Sequence, residues 1–291
     1  APSEATVVEP PAPGERHEDV PSSMSSGRYL DAVVTAKEHI LAGDIFQVVL
    51  AQRYDIELEA DPFDVYRVLR QVNPSPYMYF IRHDEATLVG SSPEPMVQLR
   101  GDHIVSRPIA GTRKRGLDEE HDRRLAAELL EHPKERAEHV MLVDLARNDL
   151  SRNGNQVKVE KNREIQFYSH VIHLVSKVTA MKKENRDTME IVADTFPAGT
   201  LSGAPKHRAM QLIDEYENRS RAFYGGAIGF MDFDGNYNHA IIIRSFLSKN
   251  NVLHYQAGAG VVSESKPENE LQEVYNKLGA LNKALEETEK L

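Results

Sequence analysis

The sequence predicts an α+β protein, mostly antiparallel β-sheets covered by helices. Three observations lead there. Short apolar runs with strand-like alternation follow one another across tight turns, helical periodicity arrives in segments inserted between those runs, and no regular β-α-β alternation appears.

Residues 1 to 28 hold five of the fifteen prolines (Pro2, Pro10, Pro11, Pro13 and Pro21) and few large apolar groups, a composition too poor in burial to order itself. A linker or tail is expected there, with one folded domain over 29 to 291. From Tyr29, the positions Leu30, Val33, Val34, Ile40 and Leu41 recur at helical spacing, and Gly43 is placed to end the helix. A strand is predicted over 45 to 58. Asp61-Pro62 then offers an N-cap and a first-turn proline for a helix over 63 to 72. Further strands are predicted over 77 to 82, 87 to 90 and 96 to 99, followed by helices over 118 to 130 and 133 to 150. The segment 171 to 181 alternates as a strand, 188 to 196 reads as a helix, and a Gly-Thr-Leu-Ser-Gly-Ala-Pro loop at 199 to 205 leads into a helix ending near Glu217. Strands over 226 to 232, 237 to 248 and 252 to 257 follow, with Asp234-Gly235 as a hairpin turn before the second. A helix from about Glu268 closes the chain.

Composition narrows the function. In 291 residues there are 45 acidic and 35 basic side chains, a formal charge of -10, and no local basic cluster, which argues against nucleic acid or an anionic membrane surface as partner. No apolar run approaches the 18 or so residues of a membrane-spanning helix. The absence of cysteine removes disulfides, thiolate metal sites and thiol nucleophiles, and fits a cytoplasmic setting. The first residue is Ala1 and not Met, so the chain is expected to be processed, cut or a fragment.

The sharpest spacing is a pair of Glu-x-x-Glu motifs on separate predicted helices, Glu135 with Glu138 and Glu270 with Glu273. Each sets two carboxylates on one helix face. If the helices meet, the four acids repel, and a hard divalent cation such as Mg2+ relieves the repulsion; if they do not, both pairs are solvated faces. Lys277, four residues after Glu273, either closes a helix salt bridge or aims its ammonium into the same cleft. Arg244 follows the apolar run Ala240-Ile241-Ile242-Ile243 and needs an anion, either a structural carboxylate or one on a substrate. His173 interrupts an apolar alternating strand, as a structural histidine or a general base. Gly111-Thr112 and Gly258-Ala259-Gly260 let backbone approach an anion closely. No dinucleotide fingerprint, phosphate-binding P-loop or Gly-x-Ser-x-Gly occurs, which removes nucleotide-binding and serine-hydrolase readings.

Six blocks run in order between about residues 29 and 285: Gly43-Asp44-Ile45-Phe46-Gln47-Val48-Val49, Ser91-Ser92-Pro93-Glu94, Arg107-Pro108-Ile109-Ala110-Gly111-Thr112, Glu138-His139-Val140-Met141-Leu142-Val143-Asp144-Leu145-Ala146-Arg147-Asn148-Asp149, Phe196-Pro197-Ala198-Gly199-Thr200-Leu201-Ser202-Gly203-Ala204-Pro205-Lys206 and Gln256-Ala257-Gly258-Ala259-Gly260. Together they resemble the chorismate-binding catalytic domain of the anthranilate synthase component I family. The resemblance implies a lyase of tryptophan biosynthesis that converts chorismate and ammonia to anthranilate and pyruvate. It implies Mg2+ held by Glu138 and Glu273 with Glu135 and Glu270 behind them, Glu94 as the acid on the departing hydroxyl, and His173 as the base on the ring proton. Substrate contacts fall to Tyr224, Arg244 and Lys277, with backbone contacts from Gly111, Thr112, Thr200, Gly258, Ala259 and Gly260.

Relatives that add water, or capture the ring through an enzyme amine, carry lysine at the position of Ala110. Ammonia needs no base to activate it, so alanine there fits an ammonia user. The family draws ammonia from a glutamine amidotransferase with a cysteine nucleophile; none is present here, so that activity is expected on a separate chain. Two other readings stand beside this one: an enzyme resembling 2-amino-2-deoxyisochorismate synthase, and an inactive fragment that binds the amidotransferase. Family members carry a further amino-terminal region with a Leu-Leu-Glu-Ser block of the tryptophan feedback site. That block is absent, so no complete tryptophan site is expected, and strands that pair with that region are expected to be left as exposed edges.

Overall fold

The computed structural model describes residues 22–168 and 171–291. Most of the expected tail, residues 1–21, lies outside the described residues. Its carboxyl end does not behave as tail: Ser22 bridges to Tyr54, Met24 is buried in the core, and the Ser25 hydroxyl caps the first helix by accepting the Arg28 N–H. The burial-poor composition of the preceding residues hid these anchoring positions.

In chain order the elements are α1 (Ser26–Leu41), β1 (Gln47–Glu57), α2 (Pro62–Val72), β2 (Tyr77–His83), β3 (Ala86–Ser92), β4 (Pro95–Arg100), β5 (His103–Ser106), β6 (Ile109–Lys114), α3 (Glu119–Glu131), α4 (Pro133–Asn153) and β7 (Gly154–Phe167). They continue as β8 (Val171–Lys182), α5 (Thr188–Thr195), α6 (Gly199–Ser202), β9 (Gly203–Ala204), α7 (Lys206–Tyr216), β10 (Ala227–Met231), β11 (Tyr237–Ile241), β12 (Ser245–Lys249), β13 (Val252–Val261) and α8 (Pro267–Thr288). Local chemistry explains many of the boundaries. Gly43 ends the turn after α1 at φ +83°, Asp61 accepts the Phe63 N–H at 2.7 Å to start α2, and Gly235 turns the β10–β11 hairpin at φ +80°.

Two sheets result, and every ladder among the described residues is antiparallel. The first has the order β2-β3-β12-β13-β1-β9. The second runs β10-β11-β4-β5-β8-β6, with β7 on the other edge of β8. Helices α1, α2 and α8 pack Tyr29, Val33, Leu69, Val274 and Leu278 over Leu50, Phe246 and Tyr255 of the first sheet. Against the second sheet, α4 packs Val143, Ala146 and Leu150 over Val97, Ile104 and Val178, while α3 lays Leu129 on Ile172 and Leu174. A third cluster joins the sheets, with Ala51 from β1, Met96 from β4, Ile241 from β11, Leu201 from α6 and Tyr224. Among the described residues no helix is long and apolar enough to cross a membrane.

The α+β antiparallel architecture is the one the sequence predicts, with three differences of detail. Strands β5, β6 and β7 have no counterpart in the sequence reading. The 199–205 loop contains the short α6 and β9. The single strand expected over 237 to 248 is two, and they belong to different sheets: β11 pairs with β10 and β4, β12 with β3 and β13. The chain crosses between sheets at Arg244, a non-glycine residue at φ +53°. Such a conformation costs about 1–3 kcal/mol and persists where its surroundings fix it.

Candidate active site

The crossing at Arg244 sets the site. Its guanidinium donates to the carbonyl of Lys277 on α8, and burial lowers its pKa against the opposing pull of Tyr224, Glu273 and Glu94. Among the described residues no carboxylate pairs with it at ion-pair distance, so the structural Arg–carboxylate pair is not formed. A buried cation without an anion is a receptor for one. Lys277 does both things its spacing allows: its Nζ pairs with Glu273 at 2.6 Å and donates to the Gly258 carbonyl at 2.8 Å, close enough to Glu94 to act on its titration.

Glu94 stands between β3 and β4, held by its own backbone, whose carbonyl accepts the Ile241 N–H at 3.1 Å. Burial pushes its carboxyl up to about 7; the Thr200 hydroxyl, Lys277 and Arg244 pull it down and the charge of Glu138 pushes it further up. A carboxyl that keeps its proton near neutrality can act as an acid. The Thr200 hydroxyl lies beside it, buried and, among the described residues, without a hydrogen bond of normal geometry. Tyr224 is buried, its ring 5.8 Å from the Arg221 guanidinium and its hydroxyl by the Gly258 backbone; burial pushes its pKa up to about 12.

His173 sits opposite Thr112 across the β6–β8 ladder, its Nδ1 at 3.0 Å from the Thr112 hydroxyl. Burial lowers its pKa, opposed by a hydrogen bond that the ring donates to the Gly111 backbone, and the lowered pKa favours the neutral ring that a base requires. Gly111 has φ +73°, and a Cβ there would stand 3.1 Å from Glu135 Oε2. The two halves of the site, Glu94 with its cations and His173 with β6, therefore meet at α4. Gly260 closes against Gln47, whose Nε2 would lie 2.5 Å from a Cβ. The methyl of Ala259 is in the core, and its backbone acts on the hydroxyl of Tyr29.

Lys134 of α4 reaches Glu270 of α8, and the charges of Glu135 and Glu273 both act on Glu138, so the paired glutamates are not separate solvated faces. Glu135 and Glu270, in the first turns of their helices, gain from the helix dipoles. Glu138 is partly buried, and burial together with the charges of Glu135 and Glu273 raises its pKa. The convergence is looser than four acids on one ion. Among the described residues no three acidic or histidine side chains stand close enough to hold a metal ion as they are placed. Three of the four glutamates instead have basic neighbours: Glu135 with Arg113 at 3.1 Å, Glu270 with Lys134 at 3.6 Å and Glu273 with Lys277 at 2.6 Å. Arg113 and Lys134 were not picked out by spacing, because both partnerships are tertiary.

Two observations fit these residues to a hard cation. Glu270 is 1% exposed, yet among the described residues neither carboxylate oxygen has a hydrogen bond of normal geometry; the nearby Ser265 hydroxyl accepts the Val262 N–H and does not close one to it. The donor set is oxygen throughout, as Mg2+ prefers. Also missed by the sequence reading is the Lys206–Asp149 ion pair at 2.7 Å, beside a cavity of ≈ 50 Å³ that Glu94, Thr200 and Asp149 line. Both residues lay inside the motif blocks, but nothing in the spacing paired them.

With this geometry in view, comparison with known proteins is specific. The family described as chorismate binding enzyme matches residues 3–283. The chain is 49% identical over 267 residues to anthranilate synthase component 1 of Aquifex aeolicus, covering 91% of this chain and 54% of that protein. It is 47% identical over 285 residues to the Thermus thermophilus protein of that name, covering 96% and 62%. The structure of anthranilate synthase component I from Streptococcus pneumoniae superposes with a TM-score of 0.84 at 40% identity, over 90% of this chain and 59% of that one. An isochorismate synthase structure from Bacillus anthracis gives 0.81 at 30% identity, over 92% and 74%. The chain spans little more than half the length of the curated relatives it matches.

Proposed function

This chain belongs to the chorismate binding enzyme family, and we propose that it carries the catalytic centre of an anthranilate synthase component I, a lyase that turns chorismate and ammonia into anthranilate and pyruvate. The observation that carries the reading is Glu94, whose carboxyl burial raises to about 7, beside two cations, Arg244 and Lys277, suited to a dicarboxylate substrate.

In this reading Glu138 and Glu273, with Glu135 and Glu270 behind them, hold Mg2+, which when bound fixes a substrate carboxylate and draws electron density from the ring. Arg244, Lys277 and Tyr224 orient the carboxylates, and the backbone at Gly111, Thr112, Thr200, Gly258, Ala259 and Gly260 closes around them. Ammonia forms the new C–N bond as the ring double bonds shift and the C–O bond to the 4-hydroxyl breaks. Glu94 gives that oxygen its proton, so that water leaves. His173 then takes the ring proton, the ether bond between ring carbon and oxygen breaks to restore aromaticity, and the enolpyruvate that leaves takes up one proton to become pyruvate.

Ala110, buried opposite Leu174, leaves no amine to compete with ammonia. Glutamine-derived ammonia requires a thiol that this sequence does not contain, so a different chain or segment supplies it. A cytoplasmic setting goes with this proposal.

Incubating the purified chain with chorismate, Mg2+ and ammonium salt tests it. Pyruvate and fluorescent anthranilate appearing together are expected. An amino-acid product that keeps its enolpyruvyl group assigns the chain to 2-amino-2-deoxyisochorismate synthesis, and no turnover at high ammonium favours an amidotransferase-binding role. Glu273→Ala should lose the Mg2+-dependent activity while keeping its fold; an unchanged Mg2+ dependence of turnover would count against the metal assignment.

A further inference from the structure

One buried serine ties together the elements that carry the site. Ser176 follows His173 by three residues on β8, so its side chain leaves the opposite face of the strand, toward α4. There its hydroxyl lies 2.6 Å from Nε2 of His139. The same oxygen accepts the backbone N–H of Arg163 at 2.9 Å, where β7 bulges and its register on β8 shifts. The backbone N–H of Ser176 donates to the Pro108 carbonyl at 3.1 Å, just before β6. Helix α4 and strands β6, β7 and β8 are thus joined at one residue.

His139 and Ser176 are 0% and 1% exposed, in a layer that is otherwise apolar. An apolar residue there would avoid the cost of burying an imidazole. Among the described residues Nδ1 of His139 has no partner, which is cheaper for a lone pair than for an N–H; we assign the proton to Nε2, donating to Ser176. The net stability of such a bond is only about 1 kcal/mol. Its direction is what apolar contact cannot provide: packed side chains tolerate small sliding of a helix over a sheet, whereas a hydrogen bond weakens steeply as it stretches or bends.

Glu138 is the next residue along α4. We propose that His139 and Ser176 are positioning residues that fix the register of α4 on β8 and so place the Glu138 carboxylate, an inference that rests on the reading of Glu138 and Glu273 as holders of a divalent cation. The required accuracy is fine. One residue of helix rises 1.5 Å, while metal–oxygen distances tolerate about 0.2 Å, so a slip of a fraction of a residue is enough to misplace the ligand.

The experiment is calorimetric titration of the full chain with magnesium chloride, alongside the Mg2+ dependence of ammonium-driven turnover. His139→Phe and Ser176→Ala should each weaken Mg2+ binding about tenfold, at the lower end of the range for groups that support metal ligands. The double variant should be no weaker than the worse single variant, because both remove the same bond. His139→Gln, whose amide nitrogen takes the place of Nε2, should stay within about threefold of wild type. Turnover at saturating Mg2+ should change less than the Mg2+ requirement, a split that general loss of stability does not produce. If His139→Phe does not fold, Ser176→Ala, which removes one oxygen, decides the matter. Unchanged Mg2+ binding in the folded variants, or a loss in His139→Gln as large as in the others, overturns the inference alone. A wild-type chain that takes up no Mg2+ removes the metal reading and this inference with it.

Discussion

Replacing Glu94 by glutamine separates the carboxyl's shape from its titration. The structure puts the carboxyl at about 7, first through burial and then through the charge of Glu138, against Thr200, Lys277 and Arg244. In the unfolded chain a glutamate titrates near ~4.3. Between those values the folded state keeps a proton that the unfolded state has released. The stability Glu94 contributes is therefore complete below the unfolded value and is lost as pH rises through the folded one, by about 1.4 kcal/mol per pH unit. Across the window the loss is about 3 kcal/mol. Glutamine resembles the neutral acid and does not titrate, while the shifts of Glu138 and Glu270 are largely common to both chains. Urea unfolding followed by circular dichroism from pH 4 to pH 8 should show Glu94→Gln close to wild type at the acid end and more stable by about 3 kcal/mol at the alkaline end. Parallel stability profiles would refute the raised pKa and with it the acid role. The same variant should lose about 10²–10⁴ in turnover, the usual contribution of a placed acid, and wild-type turnover should decline above pH 7 as the proton leaves.

Three further outcomes follow from single contacts. Glu270→Gln removes a buried carboxylate whose oxygens lack hydrogen bonds, so without Mg2+ it should unfold at higher temperature, by the equivalent of about 1–3 kcal/mol, yet gain less than wild type when Mg2+ is added; a lower melting temperature in chelator would contradict it. Gly111→Ala places a methyl 2.7 Å from Leu129 Cδ1 at φ +73°, and urea unfolding should register a loss of about 1–3 kcal/mol; an unaltered midpoint would show that β6 relaxes there freely. His173→Ala should aminate chorismate and stall, with the amino intermediate visible by chromatography, whereas pyruvate release at the wild-type rate would reject the base role.

How far the sequence foretold the fold depended on whether local chemistry decided the element. Asp61-Pro62 starts a helix and Asp234-Gly235 turns a hairpin whatever lies around them, and both were legible. β7 was not, because most of its residues from Asn155 to Arg163 are exposed and its pairing with β8 slips register three times, which leaves no alternation to read.

The site divides along the same line. Two acids one helical turn apart can be read from spacing, and Arg244 was legible as a cation in search of an anion. That the two helix ends would meet, and that Lys134 and Arg113 would sit beside Glu270 and Glu135, is a property of the assembled sheets. The deciding event is the crossing at Arg244. A continuous strand over 237 to 248 would keep β11 and β12 in one sheet, with Arg244 inside the run. Breaking it sends β12 between β3 and β13, and β13 is the strand that α8 packs against. The positive φ at Arg244 is thus the local cost of bringing Lys277 and Glu273 of one layer to Glu94 and Glu138 of the other, and no periodicity in the sequence could have announced it.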